Sequence, residues 1–247
     1  INVRRAIYMA TDFEAIRCGF YDCTGSPIWY PIPDIPEWSY AYTPLEELSP
    51  IIQEMYEYNP EKAKQLLADA GYPDGFKVEM PLAATAVDLA SVLKDQWAKA
   101  GIELELAVKE SGAISGLWKA GLYDVAMSGT GVGVDLDRID PDNSTQNSSR
   151  HQDYKFVDFK REWALAFFKI KDITERRAAM KEISERAVNY MTEQAYTMPM
   201  PGGSIYNFWQ PYVKGYSGES FMGYFLPEGY PRFIWIDQDL KKEITGR

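Results

Sequence analysis

The densest cluster of groups able to do chemistry is Gly129-Thr130-Gly131-Val132-Gly133-Val134-Asp135, followed by Asp137, Asp140, Asp142 and Asn143. Glycine suits a loop whose backbone must approach a ligand closely, because no Cβ stands in the way. The glycines fall at G-x-G-x-G, not at the G-x-G-x-x-G of dinucleotide-binding turns, and no helical pattern opens directly after them. Calcium favours such oxygen-rich loops, but D-x-D-x-x-D-x-D-N lacks the glycine and the closing glutamate of an EF-hand. The segment reads as a ligand-contacting or connecting loop with a solvated acidic flank, holding neither metal nor cofactor.

Catalysis finds no constellation elsewhere. His151 is the only histidine, sits beside Arg150 with no nucleophile motif near it, and is expected as a surface residue in a polar loop. The H-E-x-x-H, C-x-x-C and G-x-x-x-x-G-K-[ST] patterns are absent, and nothing singles out two of the 36 acids as a hydrolytic pair. Cys18 and Cys23 leave two readings open: a disulfide of an extracytoplasmic protein, across a turn supplied by Gly19, Gly25 and Pro27, or two ordinary thiols. Trp29, Tyr30, Trp118, Tyr206 and Trp209 lie in or beside loops, where rings stack on ligands or fill core and interface positions.

The elements that must position these groups follow from periodicity. Val3, Ala6, Ile7, Ala10, Phe13 and Ile16 fall at helical spacing, and Thr11 with Glu14 fits a capping box for a second helix. Residues 19–44, with their prolines and bulky aromatics, read as an ordered loop. Asn59-Pro60 opens a helix that stops at Gly71. Phe76, Val78, Met80 and Leu82 alternate as a strand, 86–100 return to helical period, and 102–108 form a second strand. A short helix at about 113–120 leads to a third strand, 123–128. Strand, helix, strand, helix, strand at this spacing predicts an α/β layered domain, a mixed sheet flanked by helices. Two helices follow at about 155–171 and 174–193, the second start being marked by Thr174 and Arg177. Between Tyr206 and Trp235 eleven of thirty residues are aromatic.

With 247 residues, 46% of them hydrophobic, the chain is long enough to build a core. The net charge of −10 argues against nucleic-acid and anionic-membrane partners, which are polyanions. Residue 1 is Ile and Val3-Arg4-Arg5-Ala6-Ile7 opens in mid-pattern, so a piece of a longer chain is expected.

Val3-Arg4-Arg5-Ala6-Ile7-Tyr8-Met9-Ala10-Thr11-Asp12 resembles the "VRqALnyAiD" helix of the family-5 extracellular solute-binding proteins. The segment from Tyr58 to Pro73, with Asn59-Pro60-Glu61-Lys62-Ala63-Lys64 and Ala70-Gly71-Tyr72, resembles that family's most specific stretch. Leu93 to Val108, Gly121-x-Tyr123-Asp124 and Asp140-Pro141-Asp142-Asn143 resemble further family elements in the right order. The resemblance implies one lobe, residues 1–198, of a type II periplasmic-binding-protein fold. An aromatic-rich segment, 199–247, would return towards a missing N-terminal lobe. It also implies an extracytoplasmic, non-enzymatic, substrate-binding component of an ABC importer that closes on its ligand and docks on permease subunits.

In peptide-binding members the third strand runs into G-W-x-x-D, whose Trp packs on the ligand and whose Asp pairs with the peptide amine. Here Gly129 matches the Gly, Thr130 stands at the Trp position, and Asp135 or Asp137 would supply the acid. Where members often carry Glu-Trp, Glu110 is followed by Ser111. The first expectation is therefore a small peptide-like ligand, with Asp135 as amine partner and Gly129 and Thr130 lining the cleft. The alternative is an oligosaccharide, with Trp118 as first platform and Tyr206 among the candidate rings. A third, of another class, is a sensing or partner-binding domain on the same scaffold.

Overall fold

In the computed structural model the described residues are 1–127, 129, 141–142, 149–219 and 233–247. Helices α1 (Asn2–Met9) and α2 (Phe13–Tyr21) meet at a sharp corner. The corner differs from the predicted capping box. Asp12, not Thr11, is the cap, and its Oδ1 accepts from the Ala15 amide at 2.9 Å. Thr11 is fully buried, where its Oγ1 donates to the Ile7 carbonyl and accepts from Trp97 Nε1 at 2.9 Å. Gln96 Oε1 takes the Asp12 amide. Buried polar groups need partners, and this cluster satisfies each through a residue more than 80 positions away in sequence.

Short α3 (Pro50–Met55) precedes α4 (Pro60–Asp69), which starts as predicted: the Asn59 side chain accepts from the Lys62 amide and Pro60 occupies the first turn. The turn 72–75 delivers the chain into β1 (Phe76–Leu82). Gly75 has φ +77°, and a Cβ there would lie 1.9 Å from the Gly101 carbonyl oxygen. That close approach sets the start of the ladder, with Phe76 opposite Ile102 and Leu82 opposite Val108. Helix α5 (Val87–Ala98) makes the crossover to β2 (Ile102–Val108), so the pair is parallel. Ala90, Leu93 and Trp97 of α5 join Met80, Leu82, Ile102 and Leu104 in the main core, which also takes Ala6, Tyr8, Ile52 and Leu67.

Helix α6 (Ser111–Ala120) ends at Gly121 in the left-handed region, φ +70°. The predicted third strand does not form over 123–127. Only the Val125 amide reaches the Glu79 carbonyl, at 3.4 Å, and the Asp124 side chain occupies the next ladder position by accepting from the Glu79 amide at 3.0 Å. A side chain has replaced backbone pairing, as aspartate readily does.

Helices α7 (Lys155–Lys169) and α8 (Ile173–Glu193) pack as a hairpin on their own clusters, one built from Phe156, Phe159, Ala187 and Met191, the other from Ala166, Met180 and Ile183. Asp172 caps α8 by accepting from the Thr174 and Glu175 amides, so the start lies one residue before the predicted Thr174. Residues 22–44 are an ordered loop, starting later than the predicted 19 because α2 runs on to Tyr21. Ile28, Tyr30, Ile32 and Ile35 are buried, and the segment is tied to the chain after α8 by paired bonds between Ser26 and Gly202. Cys18 and Cys23 are joined in a disulfide, the first of the two readings. Beyond 202, β3 (Val213–Lys214) pairs antiparallel with β4 (Trp235–Ile236), and α9 (Gln238–Thr245) follows. The α/β architecture is as predicted, but among the described residues its strands form two separate pairs, one parallel and one antiparallel. No helix of the described residues is long and apolar enough to cross a membrane.

Candidate functional site

In parallel α/β units ligands bind outside the carboxyl ends of the strands, where the connecting loops leave the sheet. Here β1 and β2 end side by side at Leu82 and Val108, and the Lys109 amide extends the ladder to the Leu82 carbonyl. Two helices start just past this edge, α5 after a 3-10 turn at Ala84–Ala86 and α6 at Ser111. Helix N-termini carry free amides and partial positive charge, which favour an anionic group such as a peptide carboxylate. The segment 122–127 lies against β1 through Val125 and Asp124, and the chain reaches Gly129 four residues after Val125. Gly129 is exposed, and a Cβ there would meet nothing within 4 Å.

The other predicted residues divide. Trp118 lies on α6, half-buried, with its indole Nε1 shielded from solvent and without a hydrogen-bond partner. Its carbonyl accepts from Arg150 Nη2 at 2.8 Å. Tyr206 is 70% exposed on the segment that leaves the Ser26–Gly202 bridge. No ring or polar contact among the described residues brings Trp118 and Tyr206 together. Thr130, Asp135 and Asp137 lie outside the described residues, as does most of the calcium-like aspartate cluster. Among the described residues no group of three or more metal-ligating side chains assembles.

Two arrangements were not read from the sequence. One is a groove of about 380 Å³ lined by Gly25, Trp29, Asp34, Ile35, Gly203 and Ser204. Trp29 bears on Gly202, where a Cβ would come within 2.2 Å of the ring. The other is a polar knot at the start of α7. Asp153 Oδ2 accepts from the Tyr190 hydroxyl at 2.5 Å and from the Tyr196 hydroxyl at 2.7 Å. His151, expected at the surface, is half-buried and stacks on Tyr196 at 4.1 Å, with its Nδ1 accepting from the Asp153 amide at 3.0 Å. Burial pushes the Asp153 carboxyl upward, yet the two phenol donors and the Lys155 amide prevail and hold it below its ordinary value. The bond to Asp153 pushes the Tyr190 phenol up to about 12. Nothing in local sequence announces this knot, because its members come from 151–153 and from the end of α8 and beyond.

Residues 1–156 match the family described as bacterial extracellular solute-binding proteins, family 5 Middle. The chain belongs to that family. Among its family-5 relatives, heme-binding protein A of Haemophilus influenzae is 33% identical over 155 residues, covering 58% of this chain and 25% of that protein. The dipeptide-binding protein of Escherichia coli is 30% identical over 151 residues, with the same coverage. In three dimensions the chain shares its fold with the periplasmic binding protein DppA of Helicobacter pylori, solved with the peptide STSA. The TM-score is 0.64 at 24% identity, covering 96% of this chain and 44% of that one. A dipeptide-binding protein from Pseudoalteromonas, solved with Met-Leu, gives 0.61 at 19% identity, covering 82% and 39%. The chain therefore spans about a quarter of the length of these curated relatives and under half of the solved ones.

Proposed function

We propose that this chain is the ligand-binding lobe of an ABC-importer substrate-binding protein that takes a small peptide. The ligand sits at the carboxyl edge of β1 and β2, between this lobe and a second one contributed by the rest of a longer protein. Gly129 and Thr130 line the cleft. Asp135 pairs with the peptide amine, and Asp137 is the alternative acid. The paired charge matters because an ammonium buried in a closed cleft without a carboxylate is costly. The observation that carries the reading is the family match over residues 1–156. It is joined by the exposure of Gly129 four residues after the bond that ties Val125 to β1.

On this reading the protein works outside the cytoplasm, hands its ligand to permease subunits and performs no chemistry on it. Residues 199–247 carry the chain back to the second lobe, which covers their exposed rings. Thermal unfolding of the full-length protein against pooled di- to pentapeptides tests this. Ligand at 100 times its Kd adds about 2.7 kcal/mol. Asp135→Asn should then weaken peptide binding by about 1.5 kcal/mol or more, the scale of a charge-assisted bond. Unchanged affinity would remove Asp135 from the site.

An oligosaccharide is the second reading, favoured by the largely exposed Tyr206 ring. One family-fold neighbour, a Thermotoga maritima protein 17% identical to this chain, was solved with mannohexaose. Stabilisation by pooled sugars alone, lost in Trp118→Ala or Tyr206→Ala, would select it.

A further inference from the structure

Arg150 stands at the far end of the Gly/Asp-rich segment from Tyr123, twenty-seven positions away in sequence, yet the two meet. The guanidinium carbon lies 5.6 Å from the centroid of the Tyr123 ring, within cation–π range. Its Nη2 donates to the Trp118 carbonyl near the end of α6 at 2.8 Å. The guanidinium fills the space over Gly121, where a Cβ would come within 2.0 Å of the Arg150 Cζ. Gly121 thus serves two needs, the left-handed turn that ends α6 and the empty space that receives the arginine. Arg150 itself has φ +51°, a conformation an arginine adopts only when its surroundings hold it there.

The neighbours on both sides are also fixed. Upstream, Asp124 and Val125 are bonded to Glu79 of β1. Downstream, His151 and Asp153 are held by Tyr196 and Tyr190. Arg150 links the exit of the segment to its entry, through Tyr123, and to α6.

We infer that Arg150 is a positioning residue for ligand binding: by clasping Trp118, Gly121 and Tyr123 it fixes the approach of the chain towards Gly129. This rests on the peptide reading above. Arg150 itself need not touch ligand, and its effect should pass entirely through that segment.

The test uses the full-length protein and a peptide shown to bind it, measured by calorimetry beside thermal unfolding. Arg150→Gly removes the clasp and at the same time relaxes a backbone that favours glycine, so Tm should hold or rise while affinity falls about fivefold to thirtyfold. Arg150→Lys, which keeps a donor and a cation, should recover part of that loss. Gly121→Ala, with Arg150 intact but displaced, should reproduce it. In an Asp135→Asn background the Arg150→Gly effect should shrink below twofold, because the group being positioned is gone. Affinity within twofold of wild type in both Arg150→Gly and Gly121→Ala would overturn the inference and leave the peptide reading standing. So would full additivity with Asp135→Asn. A wild-type protein that binds no peptide would overturn the reading itself and the inference with it.

Discussion

Trp97 and Phe208 show what separates the two parts of this molecule. Trp97 is 1% exposed in the main core, its ring packed and its N–H taken by Thr11. Phe208 is 91% exposed, and Tyr206, Phe233 and Trp235 of the same segment are at least 58% exposed. The residue types are equally apolar, so composition did not decide their fates. The first region is built from a parallel pair, its crossover helix and the helices against it, and these elements close on one another. Among its described residues the aromatic segment after 199 has a two-residue strand pair and a short helix, too little to bury the rings they carry. Apolar surface of this extent in a folded chain marks a contact with something else.

The sharpest way to break that contrast is to truncate both kinds of ring. Trp97→Ala should cost about 3–5 kcal/mol, through lost packing and a stranded Thr11 hydroxyl, measured by urea unfolding. Phe208→Ala in the 247-residue chain should stay within about 0.5 kcal/mol. In a longer protein that supplies the second lobe, the same Phe208→Ala should cost about 1.5–3 kcal/mol, since the ring would be covered there. An equal, negligible effect in both settings would mean that the aromatic segment serves a different partner.

A smaller effect concerns the place where the two regions are stapled. The Cys18–Cys23 disulfide closes a turn just ahead of the Ser26–Gly202 bridge, with Asp22 and Cys23 both at positive φ. Chain entropy for so short a loop gives about 2 kcal/mol, so replacing both cysteines by serine should lower the unfolding free energy by about that amount. No change would mean that the bridge and the Trp29 packing hold the crossing unaided.

The smallest expected effect is a pH dependence. Asp153 is held below its ordinary value in the folded state, so its contribution is present above the unfolded pKa of about 3.9 and is lost as pH falls below it. Tyr190 is raised to about 12, so its contribution is complete below about pH 10, the unfolded value, and disappears as pH climbs through 12. Asp153→Asn should flatten the acid limb of the stability profile, and Tyr190→Phe the alkaline limb, both read from unfolding midpoints across pH.

The residues alone determined most of the architecture of the first region. Strict alternation in 76–82 and 102–108 placed both strands to the residue, and the Asn59-Pro60 start did the same for α4, because period and capping are local. Local reasoning failed where a distant group competed. Thr11 looked like a cap until Trp97 claimed its hydroxyl, and 123–128 looked like a strand, whereas the Asp124 carboxylate takes the Glu79 amide. For the candidate site, sequence supplied the Gly/Asp-rich segment and Gly129 at its start. It gave no sign of Arg150 folding back over Gly121 or of Asp153 gathering two phenols. Those contacts join residues between 27 and 43 positions apart, with helices α7 and α8 in the case of Asp153. Periodicity reports which face of an element is apolar. Which elements then come together, and whose side chain satisfies whose buried donor, is settled only when the core closes.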